Sequence, residues 1–201
     1  MALKSFHVKG QLEAGCDEAG RGCLAGPVVA AAVILPAGFR HKLLDDSKKM
    51  SEKDRELLEP IIKEKALAYA IGVVDHITID QINILNASFL AMHRAIDALA
   101  TKPEFLLIDG NRFNRYNDIS HACIIKGDGI YKSIAAASVL AKVHRDRMMH
   151  DFHNDFPAYN WKQNKGYPTE AHREAIEKHG TTPLHRMSFT LLKEEQLELD
   201  F

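Results

Sequence analysis

Cysteine is scarce in this chain and poorly spaced for chemistry. Its 201 residues hold three, Cys16, Cys23 and Cys123. An odd number without a Cys-x-x-Cys pair argues against a disulfide framework and structural zinc, and favours a reducing cytoplasm. Long apolar runs are missing too: Met1 to Gly10 has no apolar core, and nothing approaches the roughly 20 residues of a membrane span. A soluble, cytoplasmic protein without a signal peptide is expected. An excess of one charge is also absent, with 26 Lys and Arg against 27 Asp and Glu and a net charge of −1. That balance argues against a generic polyanion binder. There is no internal repeat and no low-complexity tract, and the length suits one domain with a good core, or one domain with a short helical appendage.

The chain does carry alternating strand and helix signals. Leu12 to Cys16 reads as a short strand and Pro27 to Leu35 as a continuous apolar, β-branched one, the two joined through a Gly-Arg-Gly turn. Ser51-Glu52-Lys53-Asp54 resembles a capping box opening a helix to about Lys65, after which Ala66 to Val74 returns to a strand pattern. Ile82, Leu85, Phe89, Met92, Ile96 and Leu99 form one apolar helical stripe that Pro103 ends. Phe105 to Ile108, apolar on both faces, reads as a central strand of an α/β sheet. His121 to Ile125 predicts another strand. An Ala-rich helix follows from about Tyr131 to beyond Arg147, until Phe156-Pro157 breaks it. The remainder reads as helix and loop, with a helix over Glu170 to Lys178 and a last one from about Ser188.

Four acids stand where strand-like segments give way to glycine-containing turns: Asp17 and Glu18, Asp109 before Gly110, and Asp128 between Gly127 and Gly129. In open α/β sheets the carboxyl ends of neighbouring strands share one crevice, so Asp17 and Asp109 are expected to meet there. Strand alternation points Asp17 and Glu18 oppositely, although the longer Glu18 can swing back at a strand end. Clustered carboxylates repel one another unless cations lie between them, and hard oxygen ligands favour Mg²⁺ or Mn²⁺ over zinc. Two ions held this way suit phosphoryl chemistry, one activating water and one steadying the leaving oxygen. Each Asp-Gly alone reads first as a plain turn, and it is the set of acids taken together that points to a site; an acid at Asp128 also suits a helix N-terminus. After Asp17 and Glu18 comes Ala19-Gly20-Arg21-Gly22, whose two glycines leave the backbone open to close approach while Arg21 supplies a cation.

The chain resembles the bacterial type 2 ribonuclease H family, ribonuclease HII. The matching pieces run in order from Asp17 to Gly22, through Gly26-Pro27-Val28-Val29-Ala30, Asp46-Ser47-Lys48-Lys49, Ile108-Asp109-Gly110 and Lys126-Gly127-Asp128, to Ser133 through Val143 and His185-Arg186-Met187-Ser188-Phe189. The resemblance implies an α/β, ribonuclease H-like fold: a central mixed five-stranded sheet flanked by helices over residues 1–155, with a C-terminal helical extension, 156–201, packed on the same domain. It implies Asp17, Glu18, Asp109 and Asp128 as metal ligands for Mg²⁺ or Mn²⁺. It also implies Gly20, Arg21 and Gly22 as readers of the ribose 2′-hydroxyl, the group that tells RNA from DNA, and Tyr167 as the aromatic packed on the following deoxyribose. Lys48, Ser133 and Lys142 are candidate phosphate contacts, which set register without reading sequence. The related ribonuclease HIII usually carries an extra N-terminal domain and a Glu at the fourth acidic position, and this chain has neither.

The implied activity is endonucleolytic cutting of RNA joined to DNA, 5′ of embedded ribonucleotides and within RNA–DNA hybrids, leaving 5′-phosphate and 3′-hydroxyl ends, by a monomer serving genome upkeep. A non-catalytic binding module is the rival from another class, but four carboxylates would repel its ligand. A metal-free ribonuclease using the 11 histidines is a second rival, which their spacing does not support. A ribonuclease H-like nuclease acting on DNA junctions is a third. Gln196-Leu197-Glu198-Leu199-Asp200-Phe201 resembles the short peptides that dock on the bacterial sliding clamp, and reads equally as a frayed helix end.

Overall fold

A computed structural model describes residues 3–45 and 50–192. Lys48 and the clamp-like Gln196 to Phe201 lie outside the described residues.

Five strands form one mixed sheet in the order β3-β2-β1-β4-β5. β1 (Glu13–Ala19) pairs antiparallel with β2 (Val28–Ile34), which pairs antiparallel with β3 (Ala68–Val74). On its other edge β1 runs parallel to β4 (Phe105–Asp109), and β4 to β5 (Ser120–Ile124). β1 is longer than its sequence pattern predicts, because the apolar β2 continues the ladder: Asp17 faces Ala31 and Glu18 faces Ala30. Both acids are thus strand residues, and the turn begins only at Gly20.

Alternation along the strands makes two cores. Ala14, Cys16, Ala30, Ala32, Leu106 and Ile108 pack against α2 (His76–Asp97) on one face. Ala31 and Val33 pack on the other face, against α1 (Glu52–Lys65) and α3 (Lys132–Asp155). The capping expectation holds at α1, where the Ser51 hydroxyl accepts from Asp54 N at 3.1 Å. α2 is broken rather than continuous. Asn83 takes φ 64° and caps the second segment, its Oδ1 accepting from Leu85 N and Asn86 N. α3 lies so close to β1 that a Cβ on Gly15 would stand 2.2 Å from the Ser133 carbonyl carbon.

Beyond α3 the chain makes α4 (Trp161–Asn164) and α5 (Glu170–His179). No helix begins at Ser188 within the described residues, which run to Leu192 without one. This segment clamps the loop after β1 by Leu24 N to Gly166 O, Gly26 N to Leu184 O and Arg186 N to Leu24 O, at 2.8–2.9 Å. It is centred on buried Trp161, His172 and His185. Burial and the neighbouring His172 push the His185 pKa down to about 4. The unfolded chain therefore takes up a proton near pH 6.5 that the native state refuses until about pH 4, and stability falls with acidification across that window. Thermal melts should drop by several degrees between pH 7 and pH 4.5, and a His185→Asn variant should show a flatter dependence.

Candidate active site

Parallel pairing sets the two central acids side by side. Cys16 is in register with Ile108, so the next residues, Asp17 near the end of β1 and Asp109 at the end of β4, lie on neighbouring strands on the α3 face of the sheet. Asp128 arrives from a 3₁₀ turn, Gly127–Gly129, between β5 and α3. One carboxylate oxygen from each of Asp17, Asp109 and Asp128 lies within 4.8 Å of the others. Backbone donors hold the group: Gly127 N donates to Asp109 at 2.7 Å, Glu18 N to Asp17 at 2.7 Å, and Gly129 N to Asp128 at 3.0 Å. A side chain at Gly127 would collide with Ile134, at 2.5 Å.

Asp17 is 3% exposed and Asp128 2%. Burial first, then the charges of Glu18 and Asp109, hold the Asp17 carboxyl well above the usual range, against hydrogen bonds from Ser138 and Glu18 N. A divalent cation is the natural relief of such repulsion. The donor set is all carboxylate oxygen, which fits a hard ion such as Mg²⁺ or Mn²⁺.

These acids open onto a cleft of about 450 Å³. Asp17, Glu18, Gly20, Arg21, Gly22, Asp109, Lys142 and Tyr167 all line it. Glu18 is half-buried, stands outside the 4.8 Å cluster and pairs with Arg21 at 3.2 Å. Gly20 has φ +97°, and a Cβ there would lie 2.1 Å from Arg145 Nε, whereas Gly22 faces open space. Lys142 forms an ion pair with buried Asp146 and lies 6.0 Å from the Tyr167 ring centre. Burial lowers the Lys142 pKa, with Asp146 opposing.

Ser133 does not line this cleft. It sits in the first turn of α3 against Gly15 and lines a separate recess with Glu13 and Leu12. The serine that reaches the acids is Ser138, five residues on and so about 140° around the helix. It shares a face with Lys142 at the i, i+4 spacing, which was the available signal. Arg55 also lines the cleft, and nothing in the sequence pattern marked it. Nor did anything mark the role of two fully buried arginines that hold the loop between Gly20 and Val28. Arg145 donates to the carbonyls of Pro27, Ala25 and Lys165 at 2.8–3.1 Å, and Arg186 to those of Gly26, Arg21 and Pro27 at 2.9–3.1 Å.

Comparison with known proteins decides the family. The profile of the family described as Ribonuclease HII matches residues 14–192. The chain belongs to the ribonuclease HII family. It is 62% identical over 193 residues to the Ribonuclease HII of Bacteroides thetaiotaomicron, covering 96% of each chain. Among solved structures it resembles the PCNA:RNase HII complex from Archaeoglobus fulgidus, with TM-score 0.75 and 25% identity over 92% of this chain and 98% of that one. The fold also matches Bst-RNase HIII in complex with Mn²⁺, with TM-score 0.69 and 20% identity over 90% of this chain and 68% of that one. The chain is accordingly a metal-dependent ribonuclease H with the mixed five-stranded architecture of its relatives. No helix among the described residues is long and apolar enough to cross a membrane.

Proposed function

We propose that this ribonuclease H nicks duplex DNA on the 5′ side of an embedded ribonucleotide and also cuts RNA within RNA–DNA hybrids, leaving 5′-phosphate and 3′-hydroxyl ends. The observation that carries this reading is that Asp17 and Asp109, clustered with Asp128, line one cleft with the Gly20-Arg21-Gly22 turn.

Asp17, Asp109 and Asp128, with Glu18 at their edge, are the residues that would hold Mg²⁺ or Mn²⁺. Two such ions supply charge that activates water and stabilises both oxygens of an in-line displacement. The protein's own contribution is position. Gly20 and Gly22 let a ribose come against bare backbone, and a 2′-hydroxyl both donates and accepts, which a backbone surface can match. Arg186 holds that turn by donating to the Arg21 carbonyl, and with Arg145 it pins the loop that follows at the Ala25, Gly26 and Pro27 carbonyls. Tyr167, on the same cleft, takes the next sugar, where an extra hydroxyl would collide with the ring. Lys142 offers a cation to a backbone phosphate. Segment 156–192 serves as an extension of the catalytic domain, since it fixes both the turn and Tyr167.

The test is a duplex carrying one ribonucleotide, with Mg²⁺ or with chelator, beside an all-DNA duplex. Cleavage is expected only in the first reaction, one phosphodiester 5′ of the ribonucleotide, with 3′-hydroxyl ends. Cyclic phosphate ends, or cutting that survives chelation, would overturn the reading. The C-terminal Gln196 to Phe201 is proposed as a sliding-clamp peptide, a reading supported by the Archaeoglobus fulgidus complex. Deleting Glu195 to Phe201 should abolish clamp binding in a pull-down while leaving cleavage of short duplexes intact.

A further inference from the structure

We infer that His172 is a positioning residue that fixes Tyr167 in the cleft through a hydrogen-bond chain of one defined polarity. The inference rests on the reading of Tyr167 as the sensor of the sugar after the ribonucleotide. Tyr167 is held at two levels: its partly exposed side chain hydrogen-bonds Cys23, with Lys142 and Arg145 each 6.0 Å from the ring centre, and its backbone is anchored beneath.

The anchor is its carbonyl, which accepts from Thr169 N at 2.8 Å and lies 2.9 Å from His172 Nδ1. Two donors that cannot act as acceptors set the direction of the chain behind it. Thr182 N–H donates to His185 Nδ1 at 2.8 Å, so neutral His185 carries its proton on Nε2, which faces His172 Nε2 at 3.3 Å. The Trp161 indole N–H also donates to His172 Nε2, at 2.9 Å. That nitrogen accepts from both, so the His172 proton sits on Nδ1 and is donated to the Tyr167 carbonyl. His172 and Trp161 are 0% exposed and His185 is 1% exposed, so no water competes with this order. Gly166, just before Tyr167, takes φ +80° with the Ala25 carbonyl oxygen only 2.9 Å from where a Cβ would be. The turn is therefore held from below by the His172 donor and pressed from the side by the loop after β1.

The role differs from mere core filling in what it predicts for two neutral substitutions. His172→Asn keeps an amide N–H at the Nδ1 position. His172→Gln places its amide near Nε2, keeps an acceptor for Trp161 and loses the donor to Tyr167. With Mg²⁺ present, the readout is the ratio of cleavage rates on a duplex with one ribonucleotide followed by DNA and on an all-RNA strand in a hybrid. The Gln variant should lose about tenfold in that ratio, the scale of one hydrogen bond, approaching Tyr167→Ala, while Asn stays within about threefold of wild type. A Gln variant with the wild-type ratio, beside a Tyr167→Ala variant that has lost it, overturns the positioning role alone. A Tyr167→Ala variant that keeps the ratio overturns the Tyr167 reading and this inference with it. Should the variants not fold, imidazole ¹⁵N spectra of the wild-type protein decide: His172 protonated on Nδ1 is expected, and His172 protonated on Nε2 overturns the inference.

Discussion

Asp17→Asn is expected to abolish cleavage and, in the absence of metal, to make the protein harder to unfold. The two effects have one cause. Asp17 is buried against the charges of Asp109 and Glu18, and its carboxyl is held well above its ordinary range. The native state thus keeps a proton that the unfolded chain releases at lower pH, so Asp17 costs stability as pH rises through the carboxylate range. Asparagine keeps the shape and an acceptor for Glu18 N, and removes a repulsion of about 1–4 kcal/mol. The activity lost should be about 10²–10³-fold, the scale seen when a group stabilising transition-state charge is removed. Melting temperatures measured in chelator should rise for the variant. In Mn²⁺ the order should reverse, because the wild type alone gains the full stabilisation of a bound ion. A variant that is inactive and also less stable in chelator would mean that Asp17 is held by favourable contacts, not strained by like charge.

Gly15→Ala should be strongly damaging although it adds a single methyl group. The new Cβ would lie 2.2 Å from the Ser133 carbonyl carbon and 2.4 Å from Ile134 N. Both are backbone atoms in the first turn of α3, so relief requires the whole helix to lift from β1. The same helix carries Ser138 to Asp17 and begins directly after the turn holding Asp128. A loss of about 3 kcal/mol or more is expected, roughly 10 °C in melting temperature for a domain of this size, with activity falling further than stability alone explains. A variant that melts within about 2 °C of wild type would contradict the close seating of α3.

Much of this arrangement is legible in the chain. Asp17 and Asp109 could be placed together because apolar runs that end in an acid and a turn predict adjacent strand ends, and parallel register does the rest. Asp128 is placed with them only through the family resemblance, because it sits in a 3₁₀ turn beyond β5 rather than at a strand end. The clamping of the loop after β1 is not legible: Arg145 and Arg186 act on backbone carbonyls more than 100 residues away, and a carbonyl leaves no mark on a side-chain pattern. Ser138 carries no separate signal, because the Ala-rich stretch is apolar on every side and hides which face meets the acids. The break at Asn83 escaped for a similar reason. The apolar stripe continues across it, and only the backbone of Asn83, at φ 64° and ψ 163° in a sparsely populated region, reveals two helices. Tyr167 was legible as an aromatic in a Gly-Tyr-Pro turn, but its support by His172 depends on tautomers that only the folded core defines.

The central claim is that acids from separate strands share divalent ions beside the Gly20-Arg21-Gly22 turn. Anomalous diffraction at the manganese edge, from crystals grown with Mn²⁺, tests it most directly. The account predicts a peak bridging Asp17 and Asp109 at carboxylate coordination distance, absent from crystals of the Asp109→Asn variant. Manganese bound only elsewhere, with Asp17 and Asp109 sharing no ion, would contradict it.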